Sequence, residues 1–121
     1  MLLGLRSAIY PVADLTKAKA WYEKVLGVKP YFDEPFYVGF SVGGFELGLV
    51  PDGKPGTTGA QPLWGVRKAE EAFKRLVQLG AAELDPVAEV GGGIKVAAVT
   101  DPFGNRLGII ENSHFKASEV R

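Results

Sequence analysis

Hydrophobic and polar positions alternate along this chain in two different rhythms, and the sequence of rhythms occurs twice. Leu5 to Val12 alternates as a strand, with Pro11 near its exit. Leu15, Ala18, Tyr22 and Val25 then recur at helical spacing, and Trp21 and Leu26 widen the apolar stripe. Asp14 stands where an N-cap carboxylate would accept from the first-turn amides, and Gly27 where a left-handed residue would stop the helix. Short β-rich runs follow at Val28–Asp33, Phe36–Val42 and Phe45–Val50, with Glu34-Pro35 and the hairpin pair Gly43-Gly44 between them.

After Pro51 to Gly59, a stretch rich in Gly, Pro and Thr, the order returns. Gln61–Val66 reads as a strand and Lys68–Leu79 as a helix with Ala69, Ala72, Phe73, Leu76 and Leu79 on its buried stripe. That helix lacks a good N-cap, although Glu70 and Glu71 suit the positive end of its dipole. Gly80 ends it, and strands follow near Ala82–Val90, Ile94–Thr100 and Arg106–Glu111. The copies align at an offset of 53 at Gly27 and Gly80, 54 for Ser7 and Gln61, and 62 for Glu46 and Gly108.

The predicted fold class is therefore α+β: two tandem βαβββ modules forming a curved eight-stranded mixed half-barrel sheet with helices on its outer face. In domain terms, residues 1–121 make one unit: a module at 5–50, a linker at 51–60, a module at 61–111 and a polar tail at 112–121. A unit this short cannot cover its own sheet, so the copies should pack as a pseudo-twofold pair, within one chain or between two.

Composition narrows the function. The 14 basic and 14 acidic residues balance, also within each half, which leaves no electrostatic footprint for nucleic acid or anionic lipid. No apolar run reaches the roughly 18 residues of a membrane helix, and Met1-Leu2-Leu3 is too short for a signal peptide, so a cytoplasmic location is expected. There is no cysteine, which removes thiolate nucleophiles and thiolate metal ligands. The one histidine, His114, lies beyond the last strand.

Ala13-Asp14-Leu15 leading to Trp21-Tyr22-Glu23 and Val25-Leu26-Gly27, together with Asp101-Pro102-Phe103-Gly104-Asn105 before an apolar strand ending at Glu111, resembles the vicinal oxygen chelate superfamily. That superfamily includes glyoxalase I, extradiol dioxygenases, and fosfomycin- and bleomycin-resistance proteins. The resemblance spans about residues 5–111. It implies a site lined by the first and fourth strands of each module, and a homodimer. In metal-dependent relatives four such positions carry mostly His, Glu or Gln; here they are Ser7, Glu46, Gln61 and Gly108. Only Glu46 and the weaker donor Gln61 could serve, short of the three or four donors a divalent ion requires. The chain is therefore read as having no metal and no cofactor.

Strand alternation proposes the lining. Ser7 brings Leu5 and Ile9, Glu46 brings Gly48, and Tyr37 brings Gly39 and Ser41; Gln61 brings Leu63 and Gly65, and Gly108 brings Arg106 and Ile110. Val38, Phe40, Phe45, Leu47 and Leu49 should face the helices, as should Trp21 and Trp64. The ligand-binding set is thus Ser7, Ile9, Tyr37, Glu46, Gln61, Leu63, Arg106 and Gly108, with the glycines enlarging the space and Tyr37 offering an aromatic wall. The leading function is a metal-independent binding protein for a small molecule with an apolar or aromatic part, with a sequestration or resistance role. The alternative is a lyase, isomerase or dioxygenase-type enzyme in which Glu46 is the catalytic base or the ligand of a displaced metal. A structural dimer with a vestigial cavity is the third reading.

Overall fold

The asymmetry between the two faces of each strand decides how this chain folds. The computed structural model describes residues 3–120; Met1, Leu2 and Arg121, the outer ends of the leader and tail readings, lie outside the described residues. The first module comprises β1 (Ser7–Pro11), α1 (Leu15–Leu26), β2 (Phe32–Glu34), β3 (Tyr37–Val42) and β4 (Phe45–Val50). The second comprises β5 (Leu63–Gly65), α2 (Ala69–Gln78), β6 (Ala82–Glu89), β7 (Lys95–Thr100) and β8 (Arg106–Glu111). The eight strands divide into two four-stranded mixed sheets, ordered β1-β4-β3-β2 and β5-β8-β7-β6, with no closed barrel among the described residues. In each, the opening strand runs parallel to the last and the other pairs are antiparallel.

The helix-facing positions are those that alternation selects. Val38, Phe40, Leu47 and Leu49 are almost wholly buried, as are Ala97, Val99, Leu107 and Ile109 of the second module. Each large one contributes about 1.5–3 kcal/mol by leaving water. All join one core with Trp21, Tyr22 and Leu76, and Trp64 packs against its margin. Phe45, beside the Gly43-Gly44 turn, is instead 37% exposed.

Local signals set most boundaries. The Asp14 carboxylate accepts from Lys17 N at 3.0 Å, and Gly27 takes φ 72° at the end of α1. Gly43 and Gly44 both have positive φ, as a two-residue hairpin turn requires. The cap that α2 lacks locally comes from β8, where Glu111 Oε1 accepts from Ala69 N at 2.8 Å. Three strands depart most from their expected bounds. β1 covers Ser7–Pro11, and β2 covers only Phe32–Glu34 because it is an edge strand paired at three positions. β5 begins at Leu63, just after Pro62, which has no amide to donate to a ladder. The tail is not wholly irregular: Ala117–Glu119 forms a 3-10 turn, and His114 Nε2 meets the Gly92 carbonyl at 2.9 Å.

The modules are held together by the residues that make the chain recognisable. Tyr22 donates to Asp101 Oδ2 at 2.6 Å and Trp21 Nε1 to the Leu79 carbonyl at 2.8 Å, both crossing from α1 into the second module. Asp101 Oδ1 accepts from Phe103 N and Asn105 N, and Asn105 Nδ2 donates to the Pro11 carbonyl at 2.7 Å. Asn105 Oδ1 also receives Gly56 N, so the linker is tied to the same turn. Burial is the largest influence on Asp101 and raises its pKa, against these hydrogen bonds; the Tyr22 hydroxyl is pushed well above its usual value by burial and the adjacent carboxylate. The Asp-Pro-Phe-Gly-Asn turn is thus a joint between modules.

Candidate functional site

The polar focus of the molecule forms on the face of the first sheet opposite α1. Gly39 of β3 and Gly48 of β4 are directly paired across the strands, leaving a flat floor without side chains. Two tyrosine rings lie on it. A Cβ added to Gly48 would come within 2.6 Å of Tyr37 Cζ, and one added to Gly39 within 3.1 Å of Tyr37 Cε1 and 3.2 Å of Tyr31 Cε1. The glycines were expected to enlarge a cavity; instead they make room for these rings.

Both rings converge on one carboxylate. Tyr31 donates its hydroxyl to Glu46 Oε1 and Tyr37 donates to Glu46 Oε2. Desolvation first, and the hydrogen bond to Glu46 second, push the Tyr37 hydroxyl up to about 12. The hydroxyl of Tyr31 is raised chiefly by its bond to Glu46. No ion pair among the described residues includes Glu46. Phe32 extends the aromatic surface, packing edge-on to Tyr37 and to Phe36 with ring centroids 6.0 Å apart in each case.

Of the predicted lining, Tyr37 and Glu46 meet directly. Ser7 is the register partner of Glu46 on β1, and Ile9 that of Gly48. Leu63 and Gly108 form a second group on the other sheet, where the Leu63 side chain and the Pro62 carbonyl occupy the space a Gly108 side chain would need. Arg106 joins Asp85 of β6 at 2.5 Å, with its Nε buried and unpartnered. Gln61 is exposed and precedes β5 by two residues. No hydrogen bond or ion pair among the described residues links the Glu46 group to the Leu63–Gly108 group. Ile9 is 56% exposed and Leu63 45%, so one chain leaves this lining open. Shallow surface depressions lie elsewhere, one at the tail and one between α1 and β2.

Strand register also corrects the correspondence between copies. Val12 N donates to the Val50 carbonyl as Val66 N donates to that of Ile110, each at 2.9 Å. Val50 and Ile110, 60 positions apart, are therefore equivalent, and so are the buried pairs Leu47/Leu107 and Leu49/Ile109. Glu46 corresponds to Arg106, and Gly108 to Gly48, at an offset of 60 where 62 was expected. A shift of two residues keeps every side chain on its own face, so alternation cannot detect it. Either correspondence leaves fewer than three strong donors, and Glu46 already has both oxygens engaged. These residues do not fit a resident divalent ion. Among the described residues there is no cluster of three or more His, Cys, Asp or Glu.

Tyr31 was missed. It falls in the expected run Val28–Asp33, to which no faces were assigned, and in the structure it stands just before β2, where the bond from its backbone N to the Gly39 carbonyl brings it over the floor. The available signal was the density of aromatics at Tyr31, Phe32, Phe36 and Tyr37.

The sequence model of the Glyoxalase/Bleomycin resistance protein/Dioxygenase superfamily matches residues 4–109. A comparison with curated proteins returns no match. Among solved structures, the chain is similar to a lactoylglutathione lyase from Agrobacterium tumefaciens, at 19% identity and TM-score 0.74, covering 96% of this chain and 100% of that one. It is similar to a superfamily member from Sphaerobacter thermophilus DSM 20745, at 24% identity and TM-score 0.72, covering 93% and 99%. It is also similar to a glyoxalase-related enzyme from Fulvimarina pelagi, at 22% identity and TM-score 0.72, covering 92% and 89%. At these identities the likeness is one of fold.

Proposed function

This chain belongs to the Glyoxalase/Bleomycin resistance protein/Dioxygenase superfamily, and from that membership we propose that it is a metal-independent small-molecule binding protein whose site centres on Glu46. The observation that carries this reading is the engagement of both Glu46 oxygens by Tyr31 and Tyr37 on the Gly39–Gly48 floor. Each carboxylate oxygen already holds a phenol, so a substrate proton would have to compete with Tyr31 and Tyr37 for the same atoms. That arrangement favours recognition over proton abstraction, the role Glu46 would have in a lyase or isomerase. It also favours recognition over metal binding, since a cation would have to displace both hydroxyls and still find two more donors.

The open lining supports a homodimer in which a second copy closes the site. Ile9 and Leu63 are apolar side chains left in water in one chain, and covering them recovers roughly 25 cal/mol per Å² of apolar surface. A sequestering protein needs an enclosed pocket of this kind more than it needs reactive groups.

The test is a thermal-shift screen of aromatic and cationic small molecules, run with and without EDTA, alongside light scattering. Ligand-dependent stabilisation that survives EDTA, in a dimer, is the expected result. Tight retention of one divalent ion per chain would overturn the reading. So would turnover of a screened compound that falls roughly 10²–10⁴-fold in Glu46→Gln, the signature of a general base.

A further inference from the structure

The Glu46 carboxylate combines a formal negative charge, no ionic partner and a surround of aromatic rings, and this combination specifies a ligand class. Its two phenolic partners engage both oxygens without neutralising it, and none of the three ion pairs among the described residues involves it. Beside it Phe32 stands edge-on to both Phe36 and Tyr37, with interplanar angles of 68° in each pair, so the three rings form a corner and not a flat stack. Tyr31, bonded to the carboxylate, is 64% exposed, and Phe32 at 39% and Phe36 at 64% continue the open ring surface outward from Tyr37.

We propose that this corner is a binding site for a methylated organic cation, a quaternary ammonium attached to an apolar or aromatic body. The proposal rests on the binding function above and gives it a ligand chemistry. A quaternary ammonium suits the corner for two reasons. Its positive methyl shell is attracted to ring faces, where the aromatic quadrupole is negative. It also has no N–H to donate, so it need not compete with Tyr31 and Tyr37 for the Glu46 oxygens; the carboxylate acts on it through space. A primary ammonium is worse placed, because it would give up its strong hydration for a carboxylate whose two oxygens each already hold a phenol. A neutral ligand of the same shape would gain the ring contacts but not the charge.

The experiment titrates the full-length protein by calorimetry with benzyltrimethylammonium, choline, ethanolamine and 3,3-dimethylbutanol, the last being the neutral isostere of choline. Ring resonances of Tyr31 and Tyr37 are followed by NMR. Choline should bind about tenfold or more tightly than 3,3-dimethylbutanol and ethanolamine, with benzyltrimethylammonium tightest. Glu46→Gln should remove most of the preference for choline over its isostere, and Phe36→Ala should weaken both quaternary ligands severalfold. Phe36 is exposed, so that variant is expected to fold normally, which circular dichroism checks. Equal affinity for choline and 3,3-dimethylbutanol overturns the proposal, as does binding that leaves Tyr31 and Tyr37 unperturbed. If the ammonium compounds fail while other members of the screen bind, the ligand class is wrong and the binding function stands. If nothing in either set binds, both fall. Should Phe36→Ala dissociate a dimer and the cations not bind, the corner is a subunit contact and the proposal is overturned.

Discussion

The ring of Tyr37 lies where a side chain at Gly48 would have to be. A Cβ at Gly48 would come within 2.6 Å of Tyr37 Cζ and 2.9 Å of its Cε2. Gly48→Ala should therefore swing Tyr37 away from Glu46. The colliding atoms are at the far end of a side chain, so the stability cost should stay below about 2 kcal/mol, within the ordinary range for single substitutions. Chemical denaturation would measure that cost. Spectrophotometric titration should show the Tyr37 ionisation, near 12 in the native protein, moving back toward the ordinary phenol value of 10.0.

All four tyrosines of the chain have raised pKa values, Tyr10 and Tyr22 first by burial, Tyr31 by its bond to Glu46, and Tyr37 by desolvation and then that bond. Tyrosinate absorbance should therefore appear in the folded protein only above about pH 10, the range of a free phenol. A phenol whose folded pKa exceeds its unfolded value holds its proton better when folded. Its contribution is complete below the unfolded value of 10.0 and is lost as pH rises through the folded value, about 12 for Tyr37. Stability should fall across this window, and Glu46→Gln should shift the titrations of Tyr31 and Tyr37 downward while leaving Tyr10 and Tyr22 unmoved. A titration in which Glu46→Gln changes nothing would contradict the two-phenol clasp.

Tyr22 and Asp101 join the modules from opposite sides, so their bond bears on cooperativity. Asp101→Ala removes acceptors for the Tyr22 hydroxyl and for the amides of Phe103 and Asn105 in one step. It should cost about 2–4 kcal/mol, because buried donors left without partners incur their desolvation penalty uncompensated. Asp101→Asn keeps an oxygen for the two amides and should cost less. Asp101 itself has a pKa raised by burial, so its ionisation opposes folding: the contribution it makes while protonated is lost as pH rises through its folded pKa. Urea melts of both variants at several pH values would separate these effects, and a broadened Asp101→Ala transition would indicate modules unfolding separately.

Glu111→Ala should loosen the start of α2. Lys68 gives no side-chain cap, and Glu111 Oε1 is the acceptor for Ala69 N. Losing a helix cap costs typically about 1 kcal/mol. Hydrogen exchange should accelerate at Ala69 and the next few amides, with the α1 amides unchanged. Uniform acceleration throughout the chain would mean a global loss of stability and not the loss of a cap.

The double βαβββ order was legible because its signals are local. Asp14 and Gly27 bound α1 through caps formed within one turn, Gly43-Gly44 closes a hairpin by its own backbone freedom, and alternation at Val38, Phe40, Leu47 and Leu49 identifies the buried face. Each depends on neighbours a few positions away. Those residues determined the element order, the helix ends and the side of the sheet on which Glu46 and Tyr37 lie.

What tertiary structure alone decided involves pairs far apart in the chain. Whether Glu46 matches Arg106 or Gly108 is a question of strand register, and a slip of two residues leaves the hydrophobic pattern untouched. Tyr31 reaches Glu46 from the position before β2, Glu111 caps a helix 42 positions away, and the Gly39–Gly48 floor is covered by the rings of Tyr37, on β3 itself, and Tyr31. Propensity and periodicity act along the chain, whereas these contacts act across it. Only the pairing of strands brings such residues into reach.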